Sequence, residues 1–129
     1  MNNSSQILKT FNTHFVEFLE DIERVFPNDN DLLTCKNALI QMKKANPKLI
    51  IVTFKSYVSI YKEQILNGDL DFFINKDYKS DVEIDPESNK MILDKIEYLR
   101  TPVREMNTEE QGKVIKYMQN LTKLCELYN

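Results

Sequence analysis

The sequence has no tryptophan, two glycines, four prolines, two cysteines and one histidine in 129 residues. So few turn formers exclude a fold of many short strands, each of which would need its own reversal. One His and two scattered Cys cannot supply an ordinary four-ligand zinc site. No run of 18 apolar residues is present, so no membrane-spanning helix is expected. The opening Asn2-Asn3-Ser4-Ser5-Gln6 is polar and uncharged, so no secretory signal is expected either. A net charge of −3 excludes the broadly basic surface that drives non-specific nucleic-acid binding.

Apolar residues make up 42% of the chain and charged residues 29%, a balance that fits a globular domain better than a disordered tail or a membrane protein. At this length folding buries about two-thirds of the unfolded surface, enough for one core. Alanine, the best helix former, is found only at Ala38 and Ala45, whereas Lys, Asn and Ile supply 39 residues. Packing rather than propensity must hold any helices together. Lys, Asn and Ile also have AT-rich codons, so the bias points to an AT-rich genome.

Apolar periodicity is helical throughout. Ile7, Phe11, Phe15, Phe18, Ile22 and Val25 recur at spacings of three and four, and predict a helix from about Ser5 to Phe26, ended by Pro27. Asn30 or Asp31 can cap a second helix to about Ala45, with Leu32, Cys35, Leu39 and Met42 in line. Asn46-Pro47 has the form of a cap followed by proline at the first helical position, and opens a third. Its apolar face includes Ile50, Ile51, Phe54, Tyr57, Val58, Tyr61 and Ile65, and Gly68 is the expected left-handed stop. A short helix capped by Asp69 follows, with Phe72 and Phe73 filling a gap in the core.

An exposed loop is expected at about 75–85. Residues 69–87 carry seven acids against Lys76 and Lys79, so a local charge of −5 sits in a chain that otherwise sums to +2. Asp85-Pro86-Glu87 then starts a fourth long helix that buries Ile92, Ile96, Leu99 and Val103, kinked or ended by Pro102. Thr108-Glu109-Glu110-Gln111 has capping-box form and opens a last helix whose apolar stripe is Val114, Met118, Leu121, Cys125 and Tyr128. The fold class is all-α: a compact single-domain bundle, residues 1–129, of about five long helices plus one short.

Candidate chemistry is sparse. His14 lies between Phe11 and Phe18 on an apolar edge, where packing is the expected role. Cys35 and Cys125 fall on apolar stripes, where free thiols behave as small hydrophobes, and neither starts a helix. Whether they bridge depends on a Cα separation that sequence does not give. Asp77, Lys79, Asp81, Glu83 and Asp85 alternate like calcium ligands, but Lys79 takes a ligand position and the turn glycine is missing. No catalytic, metal or cofactor residue is assigned, and no enzyme is expected. Tyr78, Tyr98, Tyr117 and Tyr128 are expected to face partly outward, and Tyr and Arg favour interfaces. The interface candidates are Tyr78, Tyr98, Arg100, Arg104 and Tyr128. Lys43-Lys44 with Lys48 forms a small basic cluster, in which Lys43 and Lys44 suit the negative end of the second helix.

The strings Phe15-Val16-Glu17-Phe18-Leu19-Glu20-Asp21-Ile22, Val25-Phe26-Pro27-Asn28-Asp29 and Lys44-Ala45-Asn46-Pro47-Lys48-Leu49 read together with Gly68-Asp69-Leu70-Asp71-Phe72-Phe73 and Tyr117-Met118-Gln119-Asn120-Leu121. On them the chain resembles small helical proteins encoded by nucleocytoplasmic large DNA viruses, the giant viruses. These are packing and capping residues, so the resemblance carries over no functional residue. It implies a viral origin and a place in the host cytoplasm, a viral factory or the virion. The expected function is a non-enzymatic helical module that binds viral or host proteins, as a virion component or part of a virus-encoded complex. The alternative is a viral regulator of transcription or nucleic-acid metabolism that acts through protein partners, its acidic stretch resting on a basic surface. Direct nucleic-acid binding is not expected in either case.

Overall fold

A computed structural model gives the fold, and describes residues 4–70, 74, 94–95 and 97–128, with the side chains of Tyr57 and Ser59 left aside. Five helices are named here: α1 (Ser4–Val25), α2 (Asn30–Ala45), α3 (Leu49–Leu66), α4 (Arg100–Glu105) and α5 (Thr108–Leu127). Ile74, Asp94, Lys95, Glu97 and Tyr98 are also helical, and no strand occurs among the described residues. The protein is all-α. The expected loop at 75–85, the Asp85-Pro86 helix start, Phe72, Phe73, Ile92 and Ile96 lie outside the described residues.

The apolar positions close on one another as their spacing requires. Phe11, Phe15, Phe18, Leu19 and Ile22 of α1 are buried with Leu32, Cys35 and Leu39 of α2. Ile50, Ile51, Phe54, Val58, Tyr61 and Ile65 of α3 join them, as do Val114, Met118, Leu121 and Cys125 of α5. Each large apolar side chain removed from water contributes roughly 1.5–3 kcal/mol, which is what offsets the weak propensity of an alanine-poor sequence. α5 packs on both α1 and α3, and so holds the bundle from one side. Polar groups inside the core are mostly satisfied locally. The Thr53 and Thr122 hydroxyls donate to the carbonyls of Leu49 and Met118, one turn back. Asn12 donates from Nδ2 to the Pro47 carbonyl at 2.9 Å, which fixes the α2–α3 turn against α1.

Four boundaries differ from the expected ones. Asp29, not Asn30 or Asp31, caps α2: its backbone is extended and its carboxylate accepts from the Leu32 N–H. Asn46-Pro47-Lys48 forms a turn rather than a helix start, with Asn46 closing α2 while its side-chain oxygen accepts from the Lys48 N–H. Asn107, one residue before Thr108, caps α5 by accepting from the Glu110 N–H at 2.8 Å. Pro102 does interrupt a helix, but the break falls earlier, at Leu99. Pro102 lies in the first turn of α4, where its missing N–H costs nothing. Gly68 takes the expected left-handed backbone, φ 76°.

Candidate functional site

α1 and α5 lie antiparallel: Ser5, Gln6 and Lys9 share a cavity with Lys123 and Leu124, while Arg24 and Val25 share another with Glu110 and Lys113. The two cavities measure about 980 Å³ and about 590 Å³, and both are lined by His14 and Asn120. They therefore form one groove along the seam. A groove that follows α1 from Ser5 to Val25 is about 30 Å long at 1.5 Å per residue. Its floor is carbon: edges of Phe18, Ile22 and Val114, half-buried Val25, Tyr117 and Leu124, and the aliphatic stems of the lysines.

At the centre stands a polar cluster. The Tyr117 hydroxyl donates to Asp21, which also accepts from Arg24. The Tyr117 bond holds the Asp21 carboxyl below its usual range against the opposing effect of burial, with Arg24 and Lys113 adding to it. Burial, reinforced by the hydrogen bond to Asp21, pushes the Tyr117 phenol up from 10.0 to about 12. The His14 ring lies 4.8 Å from the Tyr117 ring, and its buried Nε2 has no hydrogen-bond partner among the described residues. Among the described residues the groove carries five cations (Lys9, Arg24, Lys113, Lys116 and Lys123) against Glu17, Asp21 and Glu110, a balance of +2.

The residues singled out by sequence lie elsewhere. Tyr78 is outside the described residues. Tyr98 is 60% exposed, with the Lys95 ammonium 5.6 Å from its ring centre. Arg100 and Arg104 do come together, but on the chain itself. Arg100 donates from Nε and Nη2 to the Ile74 carbonyl at 3.0 and 2.6 Å, and Arg104 from Nη2 at 2.7 Å. The outward Tyr128 is corrected: its side chain is buried with the core, and Lys55 holds its carbonyl at 2.6 Å. Tyr117 is half-buried with its hydroxyl engaged. Lys43, Lys44 and Lys48 flank the α2–α3 turn, whereas Arg104 is turned to Ile74.

Both cysteines are free and buried. Cys35 donates to the Lys95 carbonyl at 3.0 Å and Cys125 to that of Ile51 at 3.7 Å. Burial pushes each thiol up from 9.0 to about 11. Neither lines the groove with His14. Among the described residues no group of three His, Cys, Asp or Glu side chains could hold a metal, and no helix is long and apolar enough to cross a membrane.

The groove's lysines were not singled out by sequence, because Lys113, Lys116 and Lys123 are scattered in the string. Their spacings of three and seven were the available signal, since these put them on one side of a helix. Comparison of the sequence with protein-family models and with curated proteins, and of the fold with solved structures, finds no match.

Proposed function

We propose that this chain is a non-enzymatic helical module for protein–protein interaction, and that the α1–α5 groove is its working surface. The observation that carries the reading is the groove itself: a trough of about 30 Å along two helices, with apolar and charged lining, long enough to accept a partner segment. The titratable groups at its centre support binding over catalysis. A carboxyl with lowered pKa is a weaker base, and a phenol raised to about 12 is a weaker acid, so both shifts lead away from proton transfer near neutral pH. Thiols at about 11 are likewise poor nucleophiles. The resemblance to small helical proteins of giant viruses supports a place in a virus particle or a virus-built complex, and the same groove would serve a viral regulator acting through protein partners.

Photocrosslinking tests the reading. A benzophenone side chain at Thr13 or Asn120, both exposed on the groove walls, should crosslink a partner protein in cells that make it, whereas one at exposed Leu33 on α2 should not. Equal crosslinking from Leu33, or none from Thr13 and Asn120, would remove the groove from the account.

A further inference from the structure

Resting on the groove as a docking surface, we infer that the segment it receives is an acidic amphipathic helix of a partner protein. Lys113, Lys116 and Lys123 line the groove from one side of α5 and span ten residues, about 15 Å. All three are exposed, and none forms an ion pair among the described residues. Across from them, the Asp21 carboxylate is hydrogen-bonded to Tyr117 and Arg24 and acts on Lys113 only through its charge, without an ion pair. A local balance of +2 among the described residues, in a chain of net −3, marks this face as one that attracts negative charge.

The groove's shape narrows the class of partner. The trough between the two antiparallel helices runs about 30 Å, the length of a helix of about 20 residues laid along it. Apolar anchors at spacings of three, four and seven would meet Val25 and Leu124, and carboxylates flanking them would meet the lysine ammonium groups. A single-stranded nucleic acid fits less well. It needs open aromatic faces for its bases, but Phe18 is 5% exposed and Tyr117 is covered by His14 and tied to Asp21. The remaining surface of an acidic chain also repels a phosphate backbone.

Three labelled helical probe peptides of about 20 residues, with fluorescence anisotropy as the readout, test this directly. One carries a leucine stripe flanked by glutamates, the second has lysine for glutamate, and the third has serine for leucine. The glutamate peptide should bind at least about tenfold tighter than either of the others, with the margin over the lysine peptide shrinking as salt rises. The combined variant Lys113→Glu, Lys116→Glu and Lys123→Glu, checked for unchanged helicity by circular dichroism, should reverse the preference. Equal or tighter binding of the lysine peptide, or binding of neither, overturns the acidic helix. If Thr13 and Asn120 still crosslink a partner, the groove reading survives that result alone. Displacement of the glutamate peptide by a single-stranded oligonucleotide would assign the lysine edge to phosphates, and so also overturns it.

Discussion

Asp21 and Tyr117 stabilise the fold in a way that depends on pH at both ends. The Asp21 carboxyl is lowered on folding, so its contribution is present above the unfolded value of 3.8 and is lost as pH falls through the depressed pKa. The Tyr117 phenol is raised, so its contribution is present below 10.0 and is lost as pH climbs toward about 12. Tyr117→Phe should therefore cost about 1 kcal/mol at neutral pH, a figure reduced because Asp21 is partly exposed to solvent. The gap between wild type and variant should close at low pH and again at high pH. Urea unfolding across pH measures it, and a gap that does not vary with pH would contradict the pairing. Cys35 and Cys125, raised to about 11, weaken both proteins alike in alkali and cancel from the difference. His14 behaves oppositely. Its buried Nε2 is unpaired, so His14→Phe removes an unsatisfied polar atom and should leave the urea midpoint unchanged or higher. A midpoint lower by more than about 1 kcal/mol of stability would show a bond to His14 that the structure does not contain. The sequence placed His14 correctly beside the core, from its position between Phe11 and Phe18. It was silent on the Asp21–Tyr117 pair, because 96 residues separate the two and no local spacing links them.

At the scale of elements, the two glycines make opposite predictions. Gly68 ends α3 with φ at 76°, a backbone that costs an L-residue about 1–2 kcal/mol, so Gly68→Ala should destabilise by about that amount. Gly112 lies inside α5, and a Cβ there would meet nothing within 4 Å. Gly112→Ala should stabilise by about 1 kcal/mol, since it only removes unfolded-state freedom. Thermal melts of the pair test both, and a shift of the same sign in each would refute the assignment. The four long helices were legible because their apolar positions recur at three and four, and every buried position in α3 that the spacing gave as inward, from Ile50 to Ile65, is inward where described. Caps were legible only to within a residue. Asn28-Asp29-Asn30-Asp31 offers four adjacent cap-forming side chains and Asn107-Thr108 offers two, and only the turn geometry selects Asp29 and Asn107. The interruption near Pro102 was legible, but not its placement at Leu99, which follows from proline's tolerance in a first turn rather than in a helix interior.

For the molecule as a whole, net charge concealed the distribution that matters. The sequence showed its acids gathered in residues 69–87, whereas the positive edge is assembled only when α5 turns Lys113, Lys116 and Lys123 to one side and α1 supplies the facing wall. Arg100 and Arg104 illustrate the converse. Four residues apart, they read as interface candidates, yet both guanidinium groups satisfy the Ile74 carbonyl within the chain. The most direct test of the groove as a working surface is amide hydrogen exchange, read with and without the glutamate-flanked helical peptide. Added protection should appear in α1 and α5 and leave α2 unchanged, because among the described residues the two walls of the groove belong to α1 and α5 and none to α2. Protection that instead falls on α2 or α3, with α1 and α5 exchanging as before, would contradict the account.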